Sequence, residues 1–313
     1  MTSTPIGVLG GGSFGRALCH AASAASQNVL LCSRRAATSI PASCKVSADF
    51  ADLSDARLIF VAVPSYKVEA LAREVGRHLD GRHMLVHVSR GLVGPELRTV
   101  AQVLRDVTPC RRVGALAGPL VAESMVRGEP GGGIVGSAFQ EVCDAVRAAL
   151  PHDRLRIYDT QDLVGVELSS AMVGLLSLAI GFARGLGLGP GALGTFVTRG
   201  MAEAIHVASF QGAKRETFTG LAGLGDLLAA VAGDERPELQ LGEMLATNPG
   251  SQLEPRAAGG HIEAIDMAQR VAHYGGRLGI DTPVTLAISK VLSGEMKAAD
   301  AMHELMARHV GKE

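Results

Sequence analysis

The sequence predicts an α/β protein in which a doubly wound parallel sheet, covered by helices on both faces, precedes an all-α domain. Three observations predict it. Apolar runs alternate with helical patterns up to about residue 158, a glycine-rich turn follows the first run, and only helical patterns follow Thr160. Such alternation is typical of βαβ units. We therefore expect an N-terminal domain over residues 1–158 and a helical domain over residues 159–313.

The first half contains short runs with the near-continuous apolar composition of strands that are buried on both faces. These candidate strands are Ile6–Leu9, Val29–Cys32, Leu58–Val63, Met84–Val88, Val113–Leu116 and Gly133–Val135. Helical patterns lie between some of them, over Gly15–Ala25, Lys67–Leu79 and Gln140–Leu150. Helices between strands predict a parallel sheet, because parallel neighbours need long crossover connections.

The second half predicts helices alone. The stretch Leu163–Gly185 is apolar around most of its circumference, with Glu167 as its sole acid, which predicts a helix buried on all sides. Later helices are predicted over Thr195–Gln211, Leu239–Leu245, Ile262–Leu278, Val284–Leu292 and Ala298–His309.

Charge and cysteine content exclude several classes of protein. Lys and Arg total 30 against 31 Asp and Glu, so the chain lacks the basic field that attracts nucleic acid or an anionic membrane. The five cysteines form no CxxC pair, which argues against a disulfide framework or a metal site. The longest uncharged apolar run, Leu168–Ala183, is shorter than the ~20 residues that span a bilayer. We expect a cytoplasmic protein that forms a homodimer through its apolar helical domain.

A glycine-rich turn follows the first candidate strand. Gly10-Gly11-Gly12-Ser13-Phe14-Gly15 matches the pattern G-x-G-x-x-G between a strand and a helix. Gly10 permits the tight turn, Gly12 lets the backbone approach a pyrophosphate, and Gly15 lets the helix approach the strand. The pyrophosphate then lies at the positive end of the helix. The pattern predicts a Rossmann domain that binds a nicotinamide dinucleotide.

The residues after the second strand favour NADP(H) over NAD(H). An NAD-specific site has an acid here for the ribose 2′-hydroxyl, whereas this chain has Ser33, Arg34 and Arg35. The alternative is that the two arginines are solvated surface charges.

Pro64 and Arg90 follow two further strands, at the edge where open α/β sheets bind ligands. Arg90 is a candidate for holding a phosphate or carboxylate, or else an exposed loop cation.

Further motifs follow the glycine-rich turn in order. They are Ala62-Val63-Pro64-Ser65, Ser89-Arg90-Gly91-Leu92, Ala117-Gly118-Pro119, Val164-Gly165-Val166-Glu167-Leu168, Thr198-Arg199-Gly200-Met201-Ala202-Glu203 and Gly220-Leu221-Ala222-Gly223-Leu224-Gly225-Asp226-Leu227. Together they resemble the bacterial-type NAD(P)-dependent glycerol-3-phosphate dehydrogenase family over nearly the whole chain. The resemblance implies reduction of dihydroxyacetone phosphate by hydride transfer from the nicotinamide, with a lysine ammonium as proton donor.

The resemblance also implies roles for individual residues. Cofactor-contacting positions fall on Ser13, Phe14, Arg34, Ala122 and Glu263. Arg90 falls where the family has a lysine that touches both cofactor and substrate, while Gly118 and Asp226 fall at substrate-site positions.

The chain departs from this family at the expected catalytic positions. The family's A-x-K-N segment is Ala171-Met172-Val173-Gly174 here, so Val173 replaces the proton-donating lysine. Leu120 replaces a substrate-binding threonine. The phosphate-binding Ser-Arg-Asn segment aligns with Arg236-Pro237-Glu238, in which Glu238 would repel a phosphate and Arg236 is the compensating cation.

Few residues remain to replace the missing acid. Asp226, Arg90 and Ser170 are our catalytic candidates, and Ser169, Glu167 and His87 are weaker ones. Arg90, Gly118, Asp226 and Arg236 are the predicted substrate-binding set. Three hypotheses follow: a reductase acting on another small carbonyl or imine substrate, a catalytically impaired relative that binds dinucleotide as a sensor or partner subunit, and the family reaction rescued by Arg90 and Arg236.

Overall fold

The computed structural model describes residues 4–34, 38–233, 236–248 and 262–308. An α/β sheet domain is followed by helices, as predicted. The strands are β1 (Ile6–Leu9), β2 (Val29–Cys32), β3 (Cys44–Ser47), β4 (Leu58–Val61), β5 (Met84–His87), β6 (Arg112–Ala117), β7 (Gly131–Ser137) and β8 (Leu155–Thr160). The helices of this half are α1 (Ser13–Ala24), α2 (Ser65–Val75), α3 (Val100–Val107), α4 (Ala122–Arg127) and α5 (Gln140–Ala149).

The helical half begins two residues after β8. Its helices are α6 (Leu163–Gly185), α7 (Pro190–Ser209), α8 (Arg215–Thr219), α9 (Asp226–Ala232), α10 (Pro237–Thr247), α11 (Glu263–Leu278), α12 (Pro283–Leu292) and α13 (Ala298–Ala307). A π-helical turn over Leu221–Gly225 leads into α9. The predicted boundary at residue 158 lies within β8, which runs to Thr160.

The eight strands form one sheet in the order β3-β2-β1-β4-β5-β6-β7-β8. The strands from β3 to β6 are parallel, and the register pairs Leu9 with Val61 and Val61 with His87. The carboxyl ends of β1, β4 and β5 are therefore level with one another. The chain order reverses on either side of β1, which is where open α/β sheets bind their ligands.

The sheet differs from the prediction at its edges. β7 runs antiparallel to β6, and β8 is parallel to β7, so the sheet is mostly rather than wholly parallel. The sequence analysis missed β3 and β8, whose side chains are mostly half-buried or exposed. Edge strands of this kind lack the continuous apolar run that identified the central strands.

Helix α6 is the centre of the helical half. It is long and apolar enough to cross a membrane, but 89 % of its apolar window is buried within the protein, as in a core helix. Leu163 and Val166 pack with the sheet, whereas the segment from Leu168 to Phe182 packs with the other helices. α6 thus contributes to both hydrophobic cores.

Helices α6 and α10 approach each other closely. A side chain at Gly181 would overlap the Leu239 carbonyl oxygen, and one at Gly242 would overlap the Leu178 carbonyl oxygen. The two backbones therefore touch through glycines, and this contact fixes the position of the first turn of α10 beside α6.

Candidate functional site

The glycine-rich turn has the geometry that its pattern predicts. Gly10 has a φ of 113°, and a side chain there would overlap the Ala62 carbonyl oxygen. A side chain at Gly15 would overlap the Gly10 carbonyl oxygen. A side chain at Gly12, in contrast, would extend into open space with no atom within 4 Å. Gly10 and Gly15 are thus needed for the fold of the turn, whereas Gly12 leaves room for a ligand.

The amino end of α1 faces this open space. Its N-cap residue, Gly12, has no side chain to accept hydrogen bonds from the first turn, and none of the first-turn residues of this fully described helix is acidic. Gly12 and Ser13 are exposed, and Phe14 is half-buried. Unsatisfied N–H groups at the positive end of a helix suit a pyrophosphate. The residues present therefore fit a dinucleotide.

The end of β2 lies beside this turn. The Ser33 N–H donates to the Ser47 carbonyl oxygen at 2.9 Å, and the next side chain, Arg34, is exposed. Arg35 falls outside the described residues. The exposed Arg34 side chain therefore lies at the carboxyl edge of the sheet, beside the glycine-rich turn.

The loop after β4 contacts the helical half. Pro64 precedes α2, and the N–H of Ser65 donates to the Glu263 carboxylate of α11. A side chain at Gly91 would overlap both Ser65 Oγ and Glu263 Oε2. Glu263 therefore lies at the carboxyl edge of the sheet, next to the loop that carries Arg90. Ala122, the fourth predicted contact with the cofactor in the family, is half-buried at the start of α4, which packs on α1.

Three of the predicted site residues form an ion cluster. Arg90 Nη1 donates to Asp226 Oδ2 at 2.5 Å, and Nη2 donates to Oδ1 at 3.4 Å. Arg236 Nη2 donates to the Asp226 carbonyl oxygen at 3.0 Å and also to its carboxylate. The Asp226 side chain is fully buried, while the Arg90 side chain is 27 % exposed. One carboxylate thus holds two guanidiniums where the loop after β5 meets the amino ends of α9 and α10. We call the region between this ion cluster and the glycine-rich turn the cleft.

The two guanidiniums differ in environment. Burial alone would lower the pKa of Arg90, but the Asp226 carboxylate and the charges of Glu238 and Glu263 outweigh burial and raise it. Burial and the charge of Arg90 lower the pKa of Arg236 despite Asp226. Both groups stay cationic near neutral pH, since an arginine does not deprotonate in proteins. Neither is therefore a proton donor, although both donate hydrogen bonds.

The position where the family has its lysine is apolar in this chain. Val173 is 1 % exposed within the helical core. Ser170 is buried one turn earlier on α6. Next to Val173, a methyl group at Gly174 would lie 3.8 Å from Glu238 Oε1, so the Glu238 side chain reaches the space beside Gly174.

The Gly118 turn has a φ of 109°, and it directs the following residues toward the sheet domain. Leu120, which replaces the family's threonine, is 4 % exposed and packs in the core of that domain. Gly118 lies within van der Waals reach of the Leu221 carbonyl oxygen in the π-helical turn before Asp226. Gly118 and Asp226 are therefore on adjacent segments, but Leu120 offers no polar group to the cleft.

A buried pair that the sequence analysis did not connect lies below the ion cluster. His87 Nε2 and Glu167 Oε1 are 2.8 Å apart, and the same oxygen accepts from the Ala101 N–H in the first turn of α3. Both side chains are at most 3 % exposed. Glu167 thus joins β5, α3 and α6, which is a structural position. Two features of the sequence could have pointed to this pair: His87 lies at the end of a strand, and Glu167 is the one acid of α6.

Profiles of a known family match both halves of the chain. The profile described as NAD-dependent glycerol-3-phosphate dehydrogenase N-terminus matches residues 36–143, and the one described as its C-terminus matches residues 162–303. Together they span both domains, so the similarity extends beyond the dinucleotide-binding motif.

Individual relatives agree with the profiles. The chain is 30 % identical to glycerol-3-phosphate dehydrogenase [NAD(P)+] of Synechococcus elongatus over 98 % of this chain and 97 % of that protein. It is 34 % identical to the enzyme of the same name from Leptothrix cholodnii, over 84 % and 77 %. The crystal structure of glycerol-3-phosphate dehydrogenase from Coxiella burnetii superposes with a TM-score of 0.90 and 26 % identity, covering 98 % of this chain and all of that one.

Proposed function

Because the chain belongs to the NAD-dependent glycerol-3-phosphate dehydrogenase family, we propose that it is a nicotinamide-dinucleotide-dependent oxidoreductase that prefers NADP(H) and acts on a small carbonyl or imine substrate other than dihydroxyacetone phosphate. The observation that carries the proposal is the pair of guanidiniums held by buried Asp226, together with the buried Val173 at the position of the family's lysine.

The dinucleotide would be held by the chain's backbone at one end and by side chains at the other. The open space above Gly12 and the amino end of α1 would receive the pyrophosphate, and Ser33 and Arg34 would receive a ribose 2′-phosphate. Pro64, Arg90 and Glu263 surround the edge where a nicotinamide belongs. When bound, the reduced cofactor supplies a hydride.

Arg90 is the group best placed to act on the substrate. Its guanidinium is partly exposed and is oriented by two hydrogen bonds to Asp226. A fixed cation of this kind stabilises negative charge that develops on a carbonyl oxygen during reduction. It does not replace the proton that a lysine ammonium would deliver, so that proton comes from solvent or from the substrate.

The charges around the cleft disfavour a phosphate dianion. Among the described residues, the carboxylates of Asp226, Glu238 and Glu263 all act on the charge of Arg90, and those of Asp226 and Glu238 act on the charge of Arg236. Like charges at close range are unfavourable, and the cluster leaves little net attraction for an anion. This balance supports a neutral or cationic substrate.

The test is a substrate panel followed through NADPH absorbance. We expect kcat/KM for dihydroxyacetone phosphate to be at least about a hundredfold below that of the best neutral carbonyl or imine, because removal of a general acid costs about 10²–10⁴-fold. Val173→Lys should raise the rate with dihydroxyacetone phosphate. Arg90→Ala should lower turnover of the best substrate, whereas Arg73→Ala, an exposed arginine of α2, should not.

Each outcome decides between the hypotheses. Efficient turnover of dihydroxyacetone phosphate by the unaltered protein would refute the altered-substrate proposal and support the family reaction. Tight NADPH binding with no turnover on the whole panel would instead support a dinucleotide sensor or partner subunit. Comparing NADPH with NADH in the same assays tests the cofactor preference. Dimer formation and a cytoplasmic location stay predictions.

A further inference from the structure

Resting on the proposed function, we propose that Glu238 binds the substrate directly and selects a small cation, the iminium ion that accepts the hydride. The inference rests on where the structure places this carboxylate and on what surrounds it.

The position of Glu238 is fixed by helix packing. It occupies the first turn of α10, whose backbone touches that of α6 through Gly181 and Gly242. Its Oε1 lies 3.8 Å from where a methyl group at Gly174 would be, which is an ordinary van der Waals distance, so the carboxylate lies against this turn of α6. The turn also carries Val173, the position at which the family has its lysine.

Glu238 differs from the other carboxylates of the cluster in its partners. Asp226 accepts from Arg90 and Arg236, and Glu263 accepts from the Ser65 N–H. Within the described residues, no hydrogen bond and no ion pair within 4 Å engages the Glu238 side chain, although its charge acts on both guanidiniums. Since the side chain is half-buried and makes no direct contact of this kind among the described residues, a cationic ligand would provide a hydrogen-bond partner for its carboxylate.

A cationic substrate also removes the need for a protein acid. In an iminium ion, the carbon of the C=N bond accepts the hydride of the reduced nicotinamide dinucleotide, and the π electrons become a lone pair on nitrogen. The products are a neutral amine and the oxidised dinucleotide, so atoms and charge balance with no proton from the protein. A valine in place of the lysine is compatible with this step, since no acid acts in it.

The test compares pairs of ligands that differ in charge and share a ring size. Calorimetric titrations of the NADP⁺-saturated protein would measure binding of pyrrolidinium against cyclopentanol, and NADPH absorbance would measure turnover of 1-pyrrolinium against cyclopentanone. We expect pyrrolidinium to bind at least about tenfold more tightly than cyclopentanol, as a charge-assisted hydrogen bond allows. Glu238→Gln should remove that preference and reduce kcat/KM for 1-pyrrolinium by a similar factor, measured relative to kcat/KM of the same variant for cyclopentanone.

Two controls isolate the charge at this position. Glu216→Gln makes the same change at an exposed glutamate in the first turn of α8 and should alter neither ligand's binding. Glu238→Asp keeps the charge and should retain part of the preference, which separates recognition from a folding defect. Equal binding of both ligands by the unaltered protein, or an unchanged preference in Glu238→Gln, would overturn the inference. Binding preference without turnover of any substrate would retain the inference and refute the proposed function.

Discussion

The two sides of the cleft use different kinds of chemical group. The dinucleotide side consists of backbone: the Gly10 and Gly15 positions exclude any side chain, and the amino end of α1 presents its N–H groups. The substrate side consists of charged side chains on β5–α3 loop residues and on α9 and α10, centred on Asp226. Backbone recognition depends only on the fold, whereas side-chain recognition changes with single substitutions.

This difference explains which parts of the family pattern are retained. The glycine-rich turn matches because replacement of its glycines would disrupt the packing of α1 on the sheet. The substrate side has Val173, Gly174 and Glu238 where the family has polar and cationic groups, and the helices still pack. Under the proposed function, a new substrate class would require changes on one side of the cleft alone.

The largest expected effect is on the substrate side. Asp226→Ala removes the carboxylate that contacts both Arg90 and Arg236, leaving two partly buried cations without this ion pair. Breaking a buried pair in this way costs about 3–5 kcal/mol of the free energy of unfolding. Urea unfolding measures it. Asp106→Ala, which breaks the exposed ion pair with Arg98, should have little effect, and equal effects of the two variants would contradict the comparison.

On the dinucleotide side, two glycines should separate folding from binding. Gly15→Ala forces a methyl group against the Gly10 carbonyl oxygen and should lower the free energy of unfolding by about 1–3 kcal/mol. Gly12→Ala places its methyl group in open space, so it should leave unfolding unchanged and weaken NADPH binding. Urea unfolding and cofactor-fluorescence titration provide the two readouts. A large loss of stability in Gly12→Ala would show that the open space is not a ligand site.

The buried carboxylate of Glu203 has a structural role. Glu203 accepts from the N–H groups of Val284 and Thr285 and from the Thr285 hydroxyl, which joins α7 to α12. Glu203→Gln should cost about 1–3 kcal/mol through these hydrogen bonds and leave ligand binding unchanged. A change in ligand binding would place Glu203 in the site.

The same residue predicts a pH dependence. Burial raises the pKa of Glu203 above its ordinary value of 4.5, although its hydrogen bonds oppose the shift. The folded protein therefore retains a proton that the unfolded chain releases, so this contribution to stability is present below pH 4.5 and declines as the pH rises through the folded pKa. Urea unfolding over a pH series should show this decline, and Glu203→Gln should remove it.

The smallest expected effect concerns the cofactor's ribose. Arg34→Ala should weaken NADPH binding about tenfold relative to NADH, the size of one charge-assisted hydrogen bond to a phosphate. Arg57→Ala, which changes an exposed arginine at the opposite end of β4, should affect both cofactors equally. Calorimetric titration with each dinucleotide measures the ratio. An unchanged ratio in Arg34→Ala would remove this support for NADP(H).

The sequence predicts the centre of the fold better than its edges. β1, β2, β4 and β5 were predicted from continuous apolar runs, because both faces of these strands are covered. The polar edge strands and the antiparallel direction of β7 have no such signal. Contacts between residues that are distant in the sequence could not be predicted either. Asp226, Arg90 and Arg236 were each predicted as site residues, but only packing shows that one carboxylate holds both arginines.

The approach of Glu238 to Gly174 could not be predicted from the sequence for the same reason. Its acidic character is visible in the sequence, but its direction depends on the glycine contact between α6 and α10. Arg35 lies outside the described residues, so its predicted contribution to cofactor binding stays a prediction.

Helix α6 packs both with the sheet and with the other helices, and this affects how the protein unfolds. Its first turn is packed among sheet residues and its remaining turns among helices, so neither half keeps a complete interior once this helix is lost. Domains that share an interior element denature as one cooperative unit. Loss of the packing of α6 in one half is therefore expected to destabilise the other half as well.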